Sequence, residues 1–135
     1  MGAMGISEIR PESMAPPAAR YAHAVAVDGA ERLVFTSGVV PTMPDGTVPA
    51  GVEGQVRVIW ANLLNILREA GLGVSNIASI TTYVVAADDL NDRLASVMSV
   101  RDEVMGDHRA ASTLVTVPAL ARPEWQVEIS LVAAG

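Results

Sequence analysis

The chain has more apolar strand surface than its helices can cover, and this imbalance is what most constrains its fold. Only two segments have helical periodicity, one from about Val52 to Ala70 and one from Asp88 or Asp89 to Gly106. Runs rich in β-branched and apolar residues predict five strands, at about 22–27, 32–37, 77–85, 111–117 and 125–132. The order β-β-α-β-α-β-β predicts an α+β domain with one sheet and two helices.

Two helices can cover only one face of such a sheet. Several strands are nevertheless apolar on both faces, as in Leu33-Val34-Phe35 and Leu114-Val115. The chain has no residues left for a second layer, so a partner subunit is the economical cover for the other face. We therefore expect a homo-oligomer.

The length of 135 residues suits one domain. Pro11, Pro16 and Pro17 predict an irregular stretch from Ile6 to Ala19. We assign residues 1–15 to an N-terminal arm and residues 16–135 to the single domain. Met1 to Gly5 is typical of an expression scar or an alternative start. The stretch from Asp28 to Glu31 predicts a hairpin between the first two strands.

Composition excludes several kinds of chemistry. The net charge of −6 disfavours a nucleic-acid partner held through phosphates. All nine basic residues are arginine, which excludes Schiff-base lysines, and the absence of cysteine excludes thiol nucleophiles and thiolate metal sites. His23 and His108 lack ligand spacing, so neither a metal nor another cofactor is predicted. No apolar run reaches the roughly 20 residues of a membrane helix and no secretory signal opens the chain, so we expect no membrane partner and a cytoplasmic location.

Glu128 is the first candidate site residue, because it interrupts the apolar run from Val127 to Val132. An ionised carboxylate among Val, Ile and Leu costs free energy unless it is paired, hydrogen-bonded or open to solvent or a cleft. Glu128 is therefore either a site residue or part of a wet strand face that it shares with Gln126 and Ser130.

Several segments resemble the RidA/YjgF family, also called the L-PSP or translation-inhibitor family. No single motif is strong, but their order is fairly specific and covers nearly the whole chain beyond the arm. The segments are Arg20 to Val25, Leu33 to Gly38 with Pro41, Gln55, Asn62 and Leu63, Leu67 to Gly71, Ile77 to Val85, Asp88 to Asp92, Ser112 to Leu114 with Leu120, and Val127 to Ile129.

The resemblance implies a chorismate-mutase-like fold with a single mixed sheet and both helices on one face. It also implies a homotrimer with a barrel-like centre and small-molecule clefts between subunits. Well-studied members hydrolyse 2-imino or enamino acids to 2-keto acids and ammonia. In them an arginine binds the substrate carboxylate and a carboxylate positions a water.

This chain departs from the family pattern at that arginine, whose place is taken by Ala111. The departure puts ordinary 2-imino-acid deamination in doubt. Arg109 has the same strand parity and could reach the same face from roughly 7 Å further back, or it could be a solvated turn residue.

The resemblance retains Glu128 and Thr113 as catalytic candidates, and Tyr21, Ser37 and Gly38 as substrate-binding candidates beside Arg109 and Ala111. Tyr21 could line a cleft or plug a trimer interface, and Ser37 could shape a close backbone approach or end a strand.

Two functions remain open at this stage. One is hydrolysis of a reactive imine or enamine, and the other is non-catalytic binding or sensing of a small metabolite, such as a carboxylate or an imine. A ribonuclease or translation inhibitor ranks last, because an acidic, lysine-free chain offers little for RNA.

Overall fold

The computed structural model describes residues 3–135 and contains two helices and six strands. The strands are β1 (Gly5–Ile9), β2 (Ala24–Asp28), β3 (Leu33–Phe35), β4 (Ile77–Val85), β5 (Ala111–Val117) and β6 (Val127–Ala134), and the helices are α1 (Val52–Glu69) and α2 (Leu90–Met105). A short 3₁₀ turn, Val74–Asn76, leads into β4. The α+β class and two helices are confirmed, but the chain begins with one strand more than the predicted order.

The main sheet has four strands in the order β3-β6-β4-β5. β4 and β5 are parallel and the other neighbours are antiparallel, so this sheet is mixed as expected. β1 and β2 form a separate two-stranded sheet, joined to the main sheet by a single bridge in which the Ala22 N–H donates to the carbonyl of Ala110, 3.0 Å away. The prediction of one continuous sheet is therefore wrong in this detail.

The predicted hairpin between β2 and β3 is also wrong. β2 pairs with β1, and β3 pairs with β6. Gly29 turns the chain with φ of 69°, but the N–H groups of Glu31 and Arg32 then donate to the carbonyl of Gly135 and direct the chain onto β6. A turn motif predicts that the chain changes direction, but it does not predict which strand the next segment will pair with.

The residues predicted as an irregular arm include strand β1. Residues 10–15 contain no strand or helix. Of the predicted expression scar, Met1 and Gly2 lie outside the described residues and Gly5 begins β1. The domain boundary at residue 16 stays a prediction.

The two helices lie where periodicity predicts them. α1 buries an apolar stripe that includes Ile59, Trp60 and Leu63. It ends where Gly71 takes φ of 77° and the Leu72 N–H donates to the Leu67 carbonyl, a bond typical of a glycine-terminated helix. 

α2 begins after Asp89, which occupies the capping position without a side-chain capping bond. The Asp89 carboxylate instead accepts a bond of 2.8 Å from Arg93. Between the two helices, Arg57 on α1 donates to Glu103 on α2 over 2.8 Å, and this hydrogen bond lowers the pKa of Glu103. 

The core lies between the helices and one face of the main sheet. Ile80 and Val84 of β4 and Ile129 of β6 are buried there, and alternate residues of these strands point to the opposite face. On that opposite face Leu33 is 56% and Phe35 is 70% exposed. Both helices thus cover one face, and the other is uncovered in a single copy. Of the helices in residues 3–135, none combines the length and apolar character needed to cross a bilayer.

The buried Gln55 amide connects α1 to two loops. Its Nε2 donates to the carbonyls of Pro49 and Glu124, each 2.8 Å away, and its Oε1 accepts the N–H of Gln126 at 2.9 Å. The side chain is fully buried and uses both ends of its amide. These bonds position the start of β6, and with it Glu128.

Replacing Gln55 with Leu should destabilise the fold by about 3 kcal/mol, because three main-chain groups lose their partner in a buried place. Urea denaturation measures this change in the free energy of unfolding. The matched control is Asn65→Leu on the exposed side of α1, expected within about 0.5 kcal/mol of the native chain. Equal stabilities of the two variants would contradict the structural role of Gln55.

Candidate functional site

A cleft of about 480 Å³ opens between α2, β5 and the segment 18–21. It is lined by Ala18, Ala19, Tyr21, Leu94, Met98, Arg101, Ser112, Thr113 and Leu114. β5 is an edge strand of the main sheet, so its free main-chain N–H and C=O groups border this space. The cleft therefore combines apolar walls with hydroxyls, main-chain polar groups and one guanidinium.

Two of the predicted site residues, Tyr21 and Thr113, meet at this cleft. The bridge between Ala22 and Ala111 brings Tyr21 beside the start of β5. The Tyr21 hydroxyl accepts the Ala18 N–H at 3.4 Å, and its ring lies edge-on to His23 at 6.4 Å between centroids. Tyr21 thus lines this cleft in the single chain, and its place at a trimer interface stays a prediction.

A second group of predicted residues lies around Glu128 on the uncovered face. After Phe35 the chain runs alongside β6 until Val39 forms a bridge with Ile129. The segment between Phe35 and Val39 passes over the Glu128 side chain. A Cβ on Gly38 would overlap the Glu128 carboxylate and lie 2.7 Å from its Cδ. A larger residue here would push the Glu128 side chain aside, so the close backbone contact is made by Gly38 rather than by Ser37.

The Glu128 carboxylate itself is half-buried. Within residues 3–135 it takes part in no hydrogen bond and no ion pair. Its neighbour in register on β4 is Tyr83. Ser37 is exposed, and its carbonyl accepts a bond of 2.8 Å from the Thr36 hydroxyl. The acceptor oxygens of Glu128 are thus available to an outside donor.

Within a single chain, the Thr113 group and the Glu128 group of candidate site residues do not meet. Thr113 is in register with Thr81, and Glu128 with Tyr83, so the two candidates are separated by two strand spacings and two residues along the strands. Standard strand spacings give about 12 Å between their Cα atoms. Both side chains point to the uncovered face.

Arg109 and Ala111 lie outside the cleft lining. Arg109 donates to the carbonyls of Gly106, at 2.6 Å, and His108, at 3.3 Å, and so closes the C-terminal end of α2. Ala111 is half-buried at the bridge to Ala22. These contacts favour the turn alternative for Arg109, whose binding of a ligand stays a prediction.

Of the lining residues that the sequence did not predict for the site, Arg101 is the charged one. It continues the apolar stripe of α2, three residues after Met98 and four after Val97, and its side chain is 8% exposed. An arginine on the buried stripe of a helix was a signal that could have identified it.

The two histidines make main-chain contacts. His23 Nε2 lies 2.6 Å from the carbonyl of Ala15, and His108 Nε2 lies 2.7 Å from that of Ile77. Within the described part of the chain, no three His, Cys, Asp or Glu residues are grouped so that they could hold a metal ion.

Comparison with known proteins identifies the family. A family model described as Endoribonuclease L-PSP matches residues 12–135. The chain belongs to the L-PSP family. The resemblance stated from sequence motifs is confirmed by this match, which spans both groups of site residues.

Relatives of this L-PSP family member include a 2-iminobutanoate/2-iminopropanoate deaminase of Escherichia coli, 33% identical over 100 residues that cover 73% of this chain and 75% of the relative. Among solved structures, the Rid-family protein YyfB of Yersinia pestis is 29% identical, with a TM-score of 0.84 over 96% of this chain and 98% of its own. TdcF of E. coli with bound serine is 26% identical, with a TM-score of 0.65 over the same shares of the two chains. The Rid fold is therefore confirmed.

Gly38→Ala should destabilise the chain by about 1–3 kcal/mol, because its methyl group displaces the Glu128 carboxylate. Gly5→Ala, where nothing lies within 4 Å of the new Cβ, serves as the control. Removing the carboxylate first, as Glu128→Ala, should recover most of this loss in a double-mutant cycle measured by chemical denaturation. Additive losses would mean that the two residues do not interact.

Proposed function

We propose that this L-PSP family member binds a small metabolite in a cleft completed by two subunits and hydrolyses a reactive imine or enamine there. The observation that supports the proposal is that the candidate site residues form two separate groups in one chain. Tyr21 and Thr113 are in one group, and Gly38 and Glu128 are in the other, about 12 Å away. The uncovered sheet face with exposed Phe35 supports assembly into the trimer that the family resemblance implies.

The reaction suits these groups. Water adds across the C=N bond, so that its oxygen bonds to the carbon and one of its protons reaches the nitrogen. The C–N bond then breaks as the remaining hydroxyl proton passes to the nitrogen, which leaves as ammonia while a C=O bond forms; an enamine first tautomerises to the imine. Glu128 has unoccupied acceptor oxygens to orient the water and take its proton, and the Thr113 hydroxyl can donate to the ligand. The deaminase naming of the E. coli relative supports the same reaction class.

Non-catalytic binding is the second candidate, and Ala111 is the residue that favours it. The family resemblance places the substrate-binding arginine at this position, and alanine cannot hold a carboxylate. A protein of this kind would bind or sense a metabolite without converting it.

Activity is tested by generating imines with an amino-acid oxidase and following the release of keto acid with and without the protein. We expect acceleration for at least one of several amino acids and a loss of about 100-fold or more in Glu128→Gln, since the amide cannot act as a base. Glu53→Gln on α1, exposed to solvent, is the matched control. Absence of acceleration together with measurable ligand binding would favour the non-catalytic candidate.

Assembly is tested by light scattering, which should give about three times the chain mass of 14.1 kDa. Phe35→Asp should lower that mass, because a carboxylate at this exposed apolar position would have to be buried between subunits. Ile66→Asp, at an exposed apolar position on α1 on the opposite side of the sheet, should leave it unchanged. A native chain that is monomeric at micromolar concentration would overturn the shared cleft.

A further inference from the structure

Arg101 is the charged residue of the cleft, and its burial needs an explanation. Its side chain is 8% exposed, and its guanidinium remains protonated at any physiological pH. A buried charge costs free energy unless it is paired and hydrogen-bonded. The pairing that the structure provides is partial.

Asp102 supplies that partial pairing from one side. Its Oδ1 accepts Nε and Nη2 of Arg101 at 3.2 and 3.0 Å. None of residues 3–135 accepts a hydrogen bond from Nη1. Within residues 3–135, the side-chain nitrogens that are fully buried and have no hydrogen-bond partner are the indole nitrogens of Trp60 and Trp125. Nη1 of Arg101 is not fully buried in this way. The Nη1 donors are therefore unpaired and keep some access to solvent, on a residue that lines the cleft.

The rest of the cleft limits what could bind there. Leu94, Met98 and Leu114 form apolar walls, and Ser112 adds a hydroxyl from the helix side of β5. Arg101 is the one charged side chain of the lining, and Asp102 already offsets part of its charge. This combination fits a ligand with a single negative charge and a small apolar body better than a dianion.

We propose that Arg101 binds the carboxylate of a small monocarboxylate through Nη1, so that α2 supplies the cation that β5 lacks at Ala111. The inference rests on the proposed function only in taking this cleft as the ligand site. Arg109, the alternative from the sequence, has its Nη1 engaged by the Gly106 carbonyl. Arg101 is thus the better-placed donor, and it approaches the ligand from the helix side.

The test is an NMR titration of the native assembly with pyruvate and 2-oxobutanoate, using pyruvamide as the uncharged counterpart. Binding of the two acids, and not of the amide, is expected. Arg101→Met should weaken binding at least about tenfold, and Arg101→Lys should weaken it less because the charge remains. Arg68→Met, an exposed arginine on α1, removes the same charge away from the cleft and should bind as the native chain does.

Asp102→Asn separates a binding role from a folding role. It removes the carboxylate that competes for the guanidinium, so the acids should bind as tightly as before or more tightly. Thermal melts followed by circular dichroism establish that each variant is folded. A folded Arg101→Met that binds the acids like the native chain would overturn the proposal. Loss of binding in Arg109→Ala but not in Arg101→Met would overturn it in favour of Arg109.

The two proposals fail differently. Carboxylate binding that depends on Arg101 without any imine hydrolysis would sustain the binding role of Arg101 and remove the catalytic function. Hydrolysis that depends on Glu128 but not on Arg101 would sustain the catalytic function and remove the assignment of Arg101.

Discussion

The unequal cover of the two sheet faces is the constraint on which the rest of this structure depends. α1 and α2 bury one face with residues such as Ile59 and Val97, and leave the other with Phe35 exposed. The candidate groups follow this division, because Glu128 and Thr113 both point to the uncovered face. A surface that needs an apolar cover and carries unpaired polar groups suits a contact between subunits that encloses a small ligand.

Glu128 is held where it is by backbone rather than by a charge partner. Gly38 lies so close that a Cβ at this position would displace the Glu128 side chain, and the strand that contains Glu128 is fixed at its start by the buried Gln55 amide. A carboxylate confined by sterics keeps its acceptor oxygens free, whereas an ion pair would occupy them. This arrangement supports the general-base role proposed for Glu128, because the carboxylate is positioned without being neutralised.

The arginines of this chain differ in the hydrogen-bond partners of their guanidinium groups. Arg93 and Arg109 donate to main-chain carbonyls near the ends of α2, and Arg57 pairs with Glu103 at the surface. Arg101 differs because it is buried on the apolar stripe of α2 with one side of its guanidinium engaged and the other directed to the cleft. In a chain without lysine, such a residue carries the positive charge of the cleft.

The sequence by itself determined the helices, the strands β4 and β5 and the family, because periodicity, glycine stops and ordered motifs are local properties. It also identified Glu128, whose charge conflicts with its apolar neighbours. Only the tertiary structure decided that β2 pairs with β1, that Gly38 contacts Glu128 and that Arg101 faces the cleft. Strand pairing and burial depend on contacts between residues distant along the chain, and no local pattern specifies which distant surface a strand or side chain will meet.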